Sequence, residues 1–423
     1  MKMVYADSEG RVYDHPTLQA LGRTAGQVTA LDAQEWIALP EGATLVGLPG
    51  SRALGEDPRS GAVKALTEGS QAVGALLPQG FTRLYLPAFF KPDTQAPYPL
   101  FGYTAVGYHQ GQFYVAAHRT DEPAPWDPLQ YDGEETAMRV RDMLAAHPDN
   151  RLYAHLQTCA LTYECVTSRN TFHGRLEGAL PASSTCNAGC VGCISEQDEA
   201  SGFPSPQTRM QIRPTVQEMS EVMIEHLRRA GPDAIISFGQ GCEGEPATRG
   251  AEIAQAIVRT REQVQTGYIN INTNAGLTKQ IERIVDAGLN LMRVSTISAL
   301  DDHYNAYYKP RGYTLDHVER ATAYASEHGV IVSLNYLVFP GVTDQEHELT
   351  AMAAFIRRTG VKLVQVRNLN IDPDYYLARI PAVTHEPLGM LDWLRELQLR
   401  CPETRIGSYT HTPEWFQTAS VLV

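Results

Sequence analysis

The second half of the chain alternates amphipathic segments with short apolar runs. Helical spacing of apolar residues occurs in TVQEMSEVMIEHLRRAG, AEIAQAIVRTREQV, KQIERIVDAG, TLDHVERATAYASEHG and EHELTAMAAFIRRTG. Each is followed by a strand-like run: DAIISFG, GYININTN, LNLMRVSTIS, VIVSLNYLVFPG and VKLVQVRNLN. Five such repeats, roughly 30 residues apart, predict a parallel sheet covered by helices. With one more strand in GRLEGALPAS, and with right-handed crossovers, the pattern predicts an α/β fold: a partial (βα)6 TIM-like barrel.

The first part of the chain is predicted to be rich in β-structure. PLFGYTAVGYHQGQFYVAAHRT has the pattern of a hairpin, with Gly111 able to supply positive φ in its turn. The Pro- and acid-rich DEPAPWDP is the predicted linker. Two predicted helices follow it, one over GEETAMRVRDMLAAH and one over RLYAHLQTCALTYECVTSRN. We therefore expect an N-terminal β-rich α+β domain over 1–125, a helical connector over 126–174, the barrel over 175–375 and a C-terminal helical extension packed on it over 376–423.

Polar residues recur at every second position in four of the predicted barrel strands. Because side chains alternate between the faces of a strand, the members of each of these sets share a face: Asn270, Asn272 and Asn274; Arg293 and Ser295; Ser333 and Asn335; Gln365 and Arg367. Central parallel strands are normally continuous apolar runs, so the pattern predicts a lumen that binds a polar ligand. The alternative is that these polar side chains lie near strand ends and face solvent. Repetition of the pattern in four strands argues against that alternative.

Composition limits the classes of partner. The 423 residues include 48 acidic and 35 basic side chains, a formal charge of −13, which argues against broad affinity for nucleic acid or anionic membranes. The N-terminal sequence lacks the apolar core of a secretory signal, and no run of about 18 apolar residues occurs. We expect a cytoplasmic protein with no membrane partner, and nucleic acid is disfavoured as a partner.

Three of the seven cysteines lie close together as C-x3-C-x2-C: Cys186, Cys190 and Cys193. Thiolates bind zinc and iron–sulfur clusters, but structural zinc needs four protein ligands. No further Cys follows Cys193 until Cys242. Three ligands on a four-iron cluster would leave one iron open to a substrate or cofactor. The loop follows the first barrel strand, at the end where βα barrels place their active sites.

This spacing resembles the signature of the radical S-adenosylmethionine (SAM) superfamily, and the resemblance covers about residues 175–375. It implies that Cys186, Cys190 and Cys193 hold a [4Fe-4S] cluster whose fourth iron is chelated by the amino and carboxylate groups of SAM. It also implies a full or partial (βα)6 barrel.

Further segments resemble the same superfamily. CEGEP is similar to its Gly-Gly-Glu-Pro segment, which implies that Gly244 and Glu245 contact the SAM amino group, although Glu243 departs from the pattern. TNAG lies where the family often has Thr-Asn-Gly, and Ser295 would reach the ribose or carboxylate. The predicted cofactor-binding set is Gly244, Glu245, Asn272, Asn274, Arg293, Ser295, Asn335, Val338 and Arg367.

Two positions leave alternatives open. The residue before the third cysteine is often aromatic in the family and packs on adenine, but here it is Gly192, so Ile194 or the backbone near Val338 would supply that contact. Arg293 could pair with a ligand carboxylate, which suits its planar fork, or with Glu245.

The resemblance implies a reaction. An external one-electron reductant, flavodoxin- or ferredoxin-like, would reduce the cluster. SAM would then be cleaved to a 5′-deoxyadenosyl radical that takes hydrogen from an unidentified small-molecule or peptide substrate. The alternative is a non-catalytic iron–sulfur or zinc protein with a structural or electron-transfer role. RNA modification is a third hypothesis, disfavoured by the acidic charge.

No catalytic residue is identified by the sequence. Cys242 could donate a hydrogen atom, ligate a second cluster or be a small buried residue. An auxiliary cluster would draw on Cys159, Cys165, Cys242 or Cys401, but no second tight cysteine group exists. The Tyr-rich segment 301–313 is predicted to form a lid over the substrate. The alternative is a surface loop that starts the next helix.

Overall fold

A computed structural model describes residues 1–92, 94–197 and 201–418 of the chain. Its N-terminal part is an antiparallel sheet with strand order β10-β14-β13-β9-β1-β2-β7-β12, to which β5, β6 and β8 add, and a small sheet β11-β3-β4. The strands are β1 Lys2–Ala6, β2 Val12–Ala20, β3 Gly22–Thr24, β4 Gln27–Thr29, β5 Trp36–Ala38, β6 Thr44–Leu48, β7 Arg52–Glu56, β8 Val63–Ala65, β9 Gln71–Leu76, β10 Phe81–Arg83, β11 Leu86–Pro87, β12 Phe89–Phe90, β13 Tyr103–His109 and β14 Gln112–Arg119. The expectation of a β-rich N-terminal region is confirmed.

The predicted hairpin is β13–β14. His109 pairs with Gln112, so the loop has two residues, and both have positive φ: 47° at Gln110 and 87° at Gly111. Two positive φ values define the type I′ turn, whose twist matches that of the flanking strands.

Three helices connect the sheet to the barrel: α1 Gly133–Ala146, α2 Arg151–Leu161 and α3 Val166–His173. The sequence pattern predicted α2 and α3 as one helix, which is wrong. Glu164 has φ of 50°, a left-handed value that an α-helix cannot contain, and Cys165 is the N-cap of α3. Cys159 and Cys165 therefore lie on different elements.

The barrel is a parallel sheet of seven strands in sequential order. Its strands are β15 Glu177–Leu180, β16 Ile235–Phe238, β17 Tyr268–Thr273, β18 Leu291–Thr296, β19 Ile331–Val338, β20 Leu363–Asn368 and β21 Arg405–Gly407. The covering helices are α4 Val216–Arg229, α5 Gly250–Arg261, α6 Thr278–Asp286, α8 Leu315–Glu327 and α9 Glu346–Thr359. The prediction of an α/β partial barrel is confirmed. The pattern did not predict β21, which adds a seventh strand of three residues to the edge of the sheet.

The remaining helices are α7 Asp301–Tyr308, α10 Pro373–Leu377, α11 Met390–Arg400 and α12 Trp415–Thr418. The predicted lid is helix α7, with Tyr304, Tyr307 and Tyr308 at most 3% exposed, so it is a packed element and not a mobile cover. The C-terminal region contributes β21 as well as helices. Residues 419–423 of the predicted extension lie outside the described residues.

The N-terminal sheet packs against the strand ends of the barrel. Asn368, the last residue of β20, accepts from the Arg83 backbone N–H at 2.9 Å and donates to the Phe81 carbonyl at 3.1 Å. The Lys91 ammonium lies 2.6 Å from the carboxylate of Asp372, and both side chains are buried. The sheet therefore covers part of the end of the barrel where βα enzymes carry their chemistry. Among the helices that the structure describes, none is long and apolar enough to cross a bilayer.

Candidate functional site

The cysteine loop follows β15 and is held by α7. The backbone N–H groups of Gly189 and Val191 each donate at 2.9 Å, to the carbonyls of Tyr308 and Tyr307. The Arg311 N–H donates to the Asn187 carbonyl at 2.8 Å. Because α7 is buried, these bonds fix the loop on a rigid support.

A second support comes from Glu243, whose carboxylate accepts four backbone N–H bonds. One oxygen accepts from Ala182 at 2.7 Å and Ser183 at 2.8 Å. The other accepts from Gly239 and Gln240, both at 2.7 Å. Burial raises the pKa of Glu243 to about 7, and the four donors oppose that rise by favouring the charged form. Glu243, which the family pattern did not explain, thus ties the end of β15 to the turn after β16.

The three thiols occupy a shared, half-buried recess. Burial raises the pKa of Cys186 and of Cys190, and the charges of the other two thiols add to the rise at Cys190. The Arg209 guanidinium donates to the Cys193 sulfur at 3.5 Å. The positive charge of Arg209 opposes part of the rise in pKa at Cys186 and Cys190.

The donor set fits a cluster better than a single ion. Within the described part of the chain, the sulfurs of Cys186, Cys190 and Cys193 are not all within 4.8 Å of one another. A tetrahedral zinc ion with Zn–S bonds of about 2.3 Å holds its sulfurs roughly 3.8 Å apart. A wider set of three thiolates suits a [4Fe-4S] cluster, whose irons take one thiolate each.

Tyr307 fills the space beside Gly192. A Cβ on Gly192 would lie 2.8 Å from the Tyr307 hydroxyl and 3.6 Å from the Ile371 side chain. An aromatic ring is therefore present beside the third cysteine, but it comes from α7. Ile194, the predicted adenine contact, lies with its side chain against Gly241, and Val338 is fully buried. The adenine contact at either position stays a prediction.

Glu245 connects two loops. Its carboxylate accepts from the Ala247 N–H at 3.0 Å and the Asn274 N–H at 2.8 Å, and from the Thr273 hydroxyl. Asn274 in turn donates to the side chain of Asn187, in the cysteine loop, at 2.7 Å. Glu245 and Asn274 are thus brought to the cysteine loop, as expected of the strand ends, while their contact with SAM stays a prediction.

The polar strand faces converge inside the barrel. Ser237 donates to Glu177 at 2.6 Å, Asn270 donates to Ser237 at 3.0 Å and to Asn272 at 2.9 Å. The side-chain amide of Asn272 donates to the Gly239 carbonyl at 2.8 Å. The interior therefore holds a connected polar network, as the alternation predicted.

Arg293 lies in this interior and does not pair with Glu245. Its Nη1 donates at 3.2 Å to the Gln365 amide oxygen and at 3.2 Å to the Thr410 hydroxyl. No acceptor in the described ranges reaches its buried Nε. Burial lowers the pKa of Arg293, with the Glu177 charge opposing. Arg293 is thus a half-buried cation whose buried Nε donor is not used by another described residue.

Arg367, near the end of β20, adds a second positive charge. Burial lowers its pKa to about 10, and repulsion from Arg293 adds to the effect. Both arginines stay charged at neutral pH, and the nearby carboxylates of Glu177 and Asp121 offset part of that charge. Ser295 and Asn335 face each other across β18 and β19, next to these groups.

Cys242 is buried. Its sulfur is 3.3 Å from Nε2 of His155, and Cys159 is 3.6 Å from the same nitrogen. Cys401 lies elsewhere, with its thiol directed at the Ala353 carbonyl. The described residues thus bring together two of the four cysteines considered for an auxiliary cluster.

Several supporting residues escaped sequence reasoning. Arg209 and Tyr307 are 16 and 114 positions from Cys193, and no spacing rule connects them to it. His155 was visible only as a helical neighbour of Cys159, four residues away. Glu243 did give a signal, as an unexpected charge inside a Gly-Glu-Pro segment.

Comparison with known proteins gives a family match. Residues 180–354 match the family model described as the radical SAM superfamily. Over 181 residues the chain is 29% identical to a probable dual-specificity RNA methyltransferase RlmN of Chlorobium luteolum; the match covers 41% of this chain and 48%, about half, of that protein.

Solved structures show weaker likeness. A radical SAM methyltransferase from Sphaerobacter thermophilus aligns with TM-score 0.40 and 19% identity, covering 55% of this chain and 66% of the other. Methylornithine synthase (PylB) aligns with TM-score 0.37 and 15% identity, covering 57% and 68%.

Proposed function

We propose that this chain, whose residues 180–354 match the radical SAM superfamily, is an enzyme of that superfamily. Its three loop cysteines would hold the [4Fe-4S] cluster that cleaves SAM. The observation that carries the proposal is the half-buried C-x3-C-x2-C loop, which lies at the C-terminal end of β15 within the matched residues. When bound, the cluster and SAM supply one-electron chemistry that produces a 5′-deoxyadenosyl radical and removes hydrogen from a C–H bond.

The chain's own residues do the binding and positioning. Cys186, Cys190 and Cys193 would ligate three irons and leave the fourth for SAM. The bonds from α7 and Glu243 keep the loop in place. Arg209 donates to the sulfur of Cys193 and so offsets negative charge at the cluster.

The charged side chains of the lumen support a proposal for the substrate class. Arg293 and Arg367 are half-buried cations near the carboxylates of Glu177 and Asp121, and the buried Nε of Arg293 has no acceptor within the described residues. We infer that the ligand group bound there is a carboxylate or another anion. Both the SAM carboxylate and an anionic small molecule or peptide have this chemistry. The covering N-terminal sheet would restrict water at this end of the barrel, as a reactive radical requires. An external one-electron donor completes the system.

The test is anaerobic reconstitution with iron and sulfide, reduction with dithionite and assay of 5′-deoxyadenosine from SAM. The native protein should bind about four irons per chain and form 5′-deoxyadenosine. Cys190→Ser should abolish both, whereas Cys401→Ser, a buried thiol on α11's end, should retain both. A cysteine loop that holds zinc and yields no 5′-deoxyadenosine would support the non-catalytic alternative.

Methyl transfer to RNA is a second candidate, favoured by the 29% identity to the RNA methyltransferase. The charge of −13 opposes it, because RNA binding depends on neutralising phosphates. Incubation with methyl-labelled SAM and ribosomal or transfer RNA distinguishes the candidates: label in RNA would establish methyl transfer. Formation of 5′-deoxyadenosine without label in RNA would leave the anionic small molecule or peptide as the substrate class.

A further inference from the structure

A second group of metal-binding side chains lies outside the cysteine loop. It consists of His155 and Cys159 on α2 and Cys242 in the loop after β16. The Nε2 atom of His155 and the two sulfurs all lie within 4.8 Å of one another. We propose that these three residues form a binding site for a thiolate-preferring divalent ion, with Zn²⁺ the best match.

The distances match those of one tetrahedral ion. Bonds of about 2.3 Å to sulfur and 2.0–2.1 Å to nitrogen place a sulfur and a nitrogen ligand about 3.6 Å apart. The observed separations from His155 Nε2 are 3.3 Å to Cys242 and 3.6 Å to Cys159. The cysteine loop lacks this tight spacing, so the two sites suit different metal centres.

The helix geometry presents two of the ligands together. His155 and Cys159 are four residues apart on α2, so they point from the same face. Cys242 comes from a distant part of the chain, the loop after β16. Cys159 is 2% and Cys242 5% exposed, so an ion here would be largely shielded from chelators and water.

The donor chemistry points to zinc. Two thiolates and one imidazole are the ligand set of Cys2His sites, which keep the fourth position for water or another ligand. Each thiol must lose its proton when the ion binds, so one Zn²⁺ releases two protons. Without an ion, the imidazole nitrogen has only weak sulfur partners in this group.

The ion would connect helix α2 to the loop after β16. Cys242 lies two residues before Gly244, whose N–H donates at 2.7 Å to Ser183, at the start of the cysteine loop. Zinc at this position would cross-link α2 to the loop that supports the cluster site. The proposal concerns a separate metal and does not depend on the proposed function.

The test measures zinc and iron separately in the full chain. Anaerobically purified protein, washed with a chelator, should contain about one zinc per chain beside the iron of the cysteine loop. Cys159→Ser and Cys242→Ser should each lose the zinc and keep the iron. A chain with Cys186, Cys190 and Cys193 all changed to Ser should lose the iron and keep the zinc. Cys401→Ser is the matched control and should keep both.

A spectroscopic measurement covers the case in which a single variant folds poorly. Co²⁺ added to the metal-stripped triple-serine chain should give sulfur-to-cobalt charge-transfer bands and tetrahedral d–d bands, with about one ion bound per chain. Adding His155→Ala to that chain should weaken Co²⁺ binding at least tenfold while the far-ultraviolet circular dichroism is unchanged. The proposal is overturned if the native chain binds no zinc, if zinc leaves with the loop cysteines instead, or if Cys159 and Cys242 form a disulfide in protein purified without oxidant.

Discussion

The backbone of Gly244 lies directly against the carbonyl of Thr185, with no room for a side chain between them. A Cβ on Gly244 would come 2.1 Å from the Thr185 oxygen and 3.1 Å from the Cys186 nitrogen. Glu245 N–H also donates to the same Thr185 carbonyl at 2.9 Å. The loop after β16 therefore sets the position of the first cluster cysteine through backbone contact.

Gly244→Ala should displace this loop, because the clash is with backbone and cannot be relieved by a side-chain rotation. We expect at least a tenfold loss of 5′-deoxyadenosine formation and a lower iron content. Gly133→Ala is the matched control, since a Cβ there meets nothing within 4 Å. Full activity of Gly244→Ala would show that the loop contact does not position the cluster.

Arg209 should raise the reduction potential of the cluster, because its guanidinium donates to the Cys193 sulfur and carries positive charge. Arg209→Met should therefore shift the midpoint potential to a more negative value with little change in iron content. Electrochemical titration of the reconstituted protein measures the shift. Arg320→Met on the exposed face of α8 should leave the potential unchanged, and a shift of the same size there would contradict a local effect.

Arg367→Met should weaken binding of the anionic group in the lumen. A charge-assisted hydrogen bond contributes about 1.5–3 kcal/mol, so we expect a tenfold or larger increase in the concentration for half-maximal activity. SAM titration and substrate titration of 5′-deoxyadenosine formation show which ligand has the carboxylate. If neither concentration changes, Arg367 has no ligand.

His226 should make the protein sensitive to acid. Burial lowers its pKa to about 4 from the ordinary 6.5, since its ring packs against Gly178 under β15. The folded state therefore resists protonation: the stabilisation is complete above pH 6.5 and is lost as pH falls towards 4. At 1.36 kcal/mol per pKa unit, the unfolding free energy should fall by about 2 kcal/mol between pH 7.5 and 5.

Denaturant unfolding at the two pH values measures this slope. His226→Gln should reduce it whatever its effect at pH 7.5, whereas exposed His328→Gln should leave it unchanged. An unaltered slope in His226→Gln would assign the acid sensitivity to another group.

Lys91 should be important for docking of the N-terminal sheet. Its ion pair with Asp372 is buried, with side-chain exposures of 7% and 0%, so Lys91→Met leaves a carboxylate without its charge partner. We expect a loss of about 3–5 kcal/mol in unfolding free energy. Lys64→Met removes a more exposed pair with Asp57 and should have a much smaller effect, because solvent screens that pair. Equal effects of the two variants would argue against a structural role for the buried pair.

The amino-acid sequence was sufficient for the repeating part of the fold. The helix and strand periods of 216–368 are local properties, and right-handed crossovers leave few ways to connect them. The polar alternation of Asn270, Arg293 and Gln365 likewise predicted a polar interior, because alternation along a strand needs no knowledge of the fold. The short β21 was missed because three residues such as Arg405–Gly407 form a strand only beside β20.

The sequence by itself determined the barrel, the cysteine loop and the family resemblance, because each depends on the spacing of residues along the chain. Only the tertiary structure decided which distant residues support that loop. Tyr307 beside Gly192, Glu243 on four backbone N–H groups, and His155 between Cys159 and Cys242 depend on separate elements packing against one another. Such contacts arise from side-chain packing and hydrogen-bond satisfaction in three dimensions, which local sequence patterns do not encode.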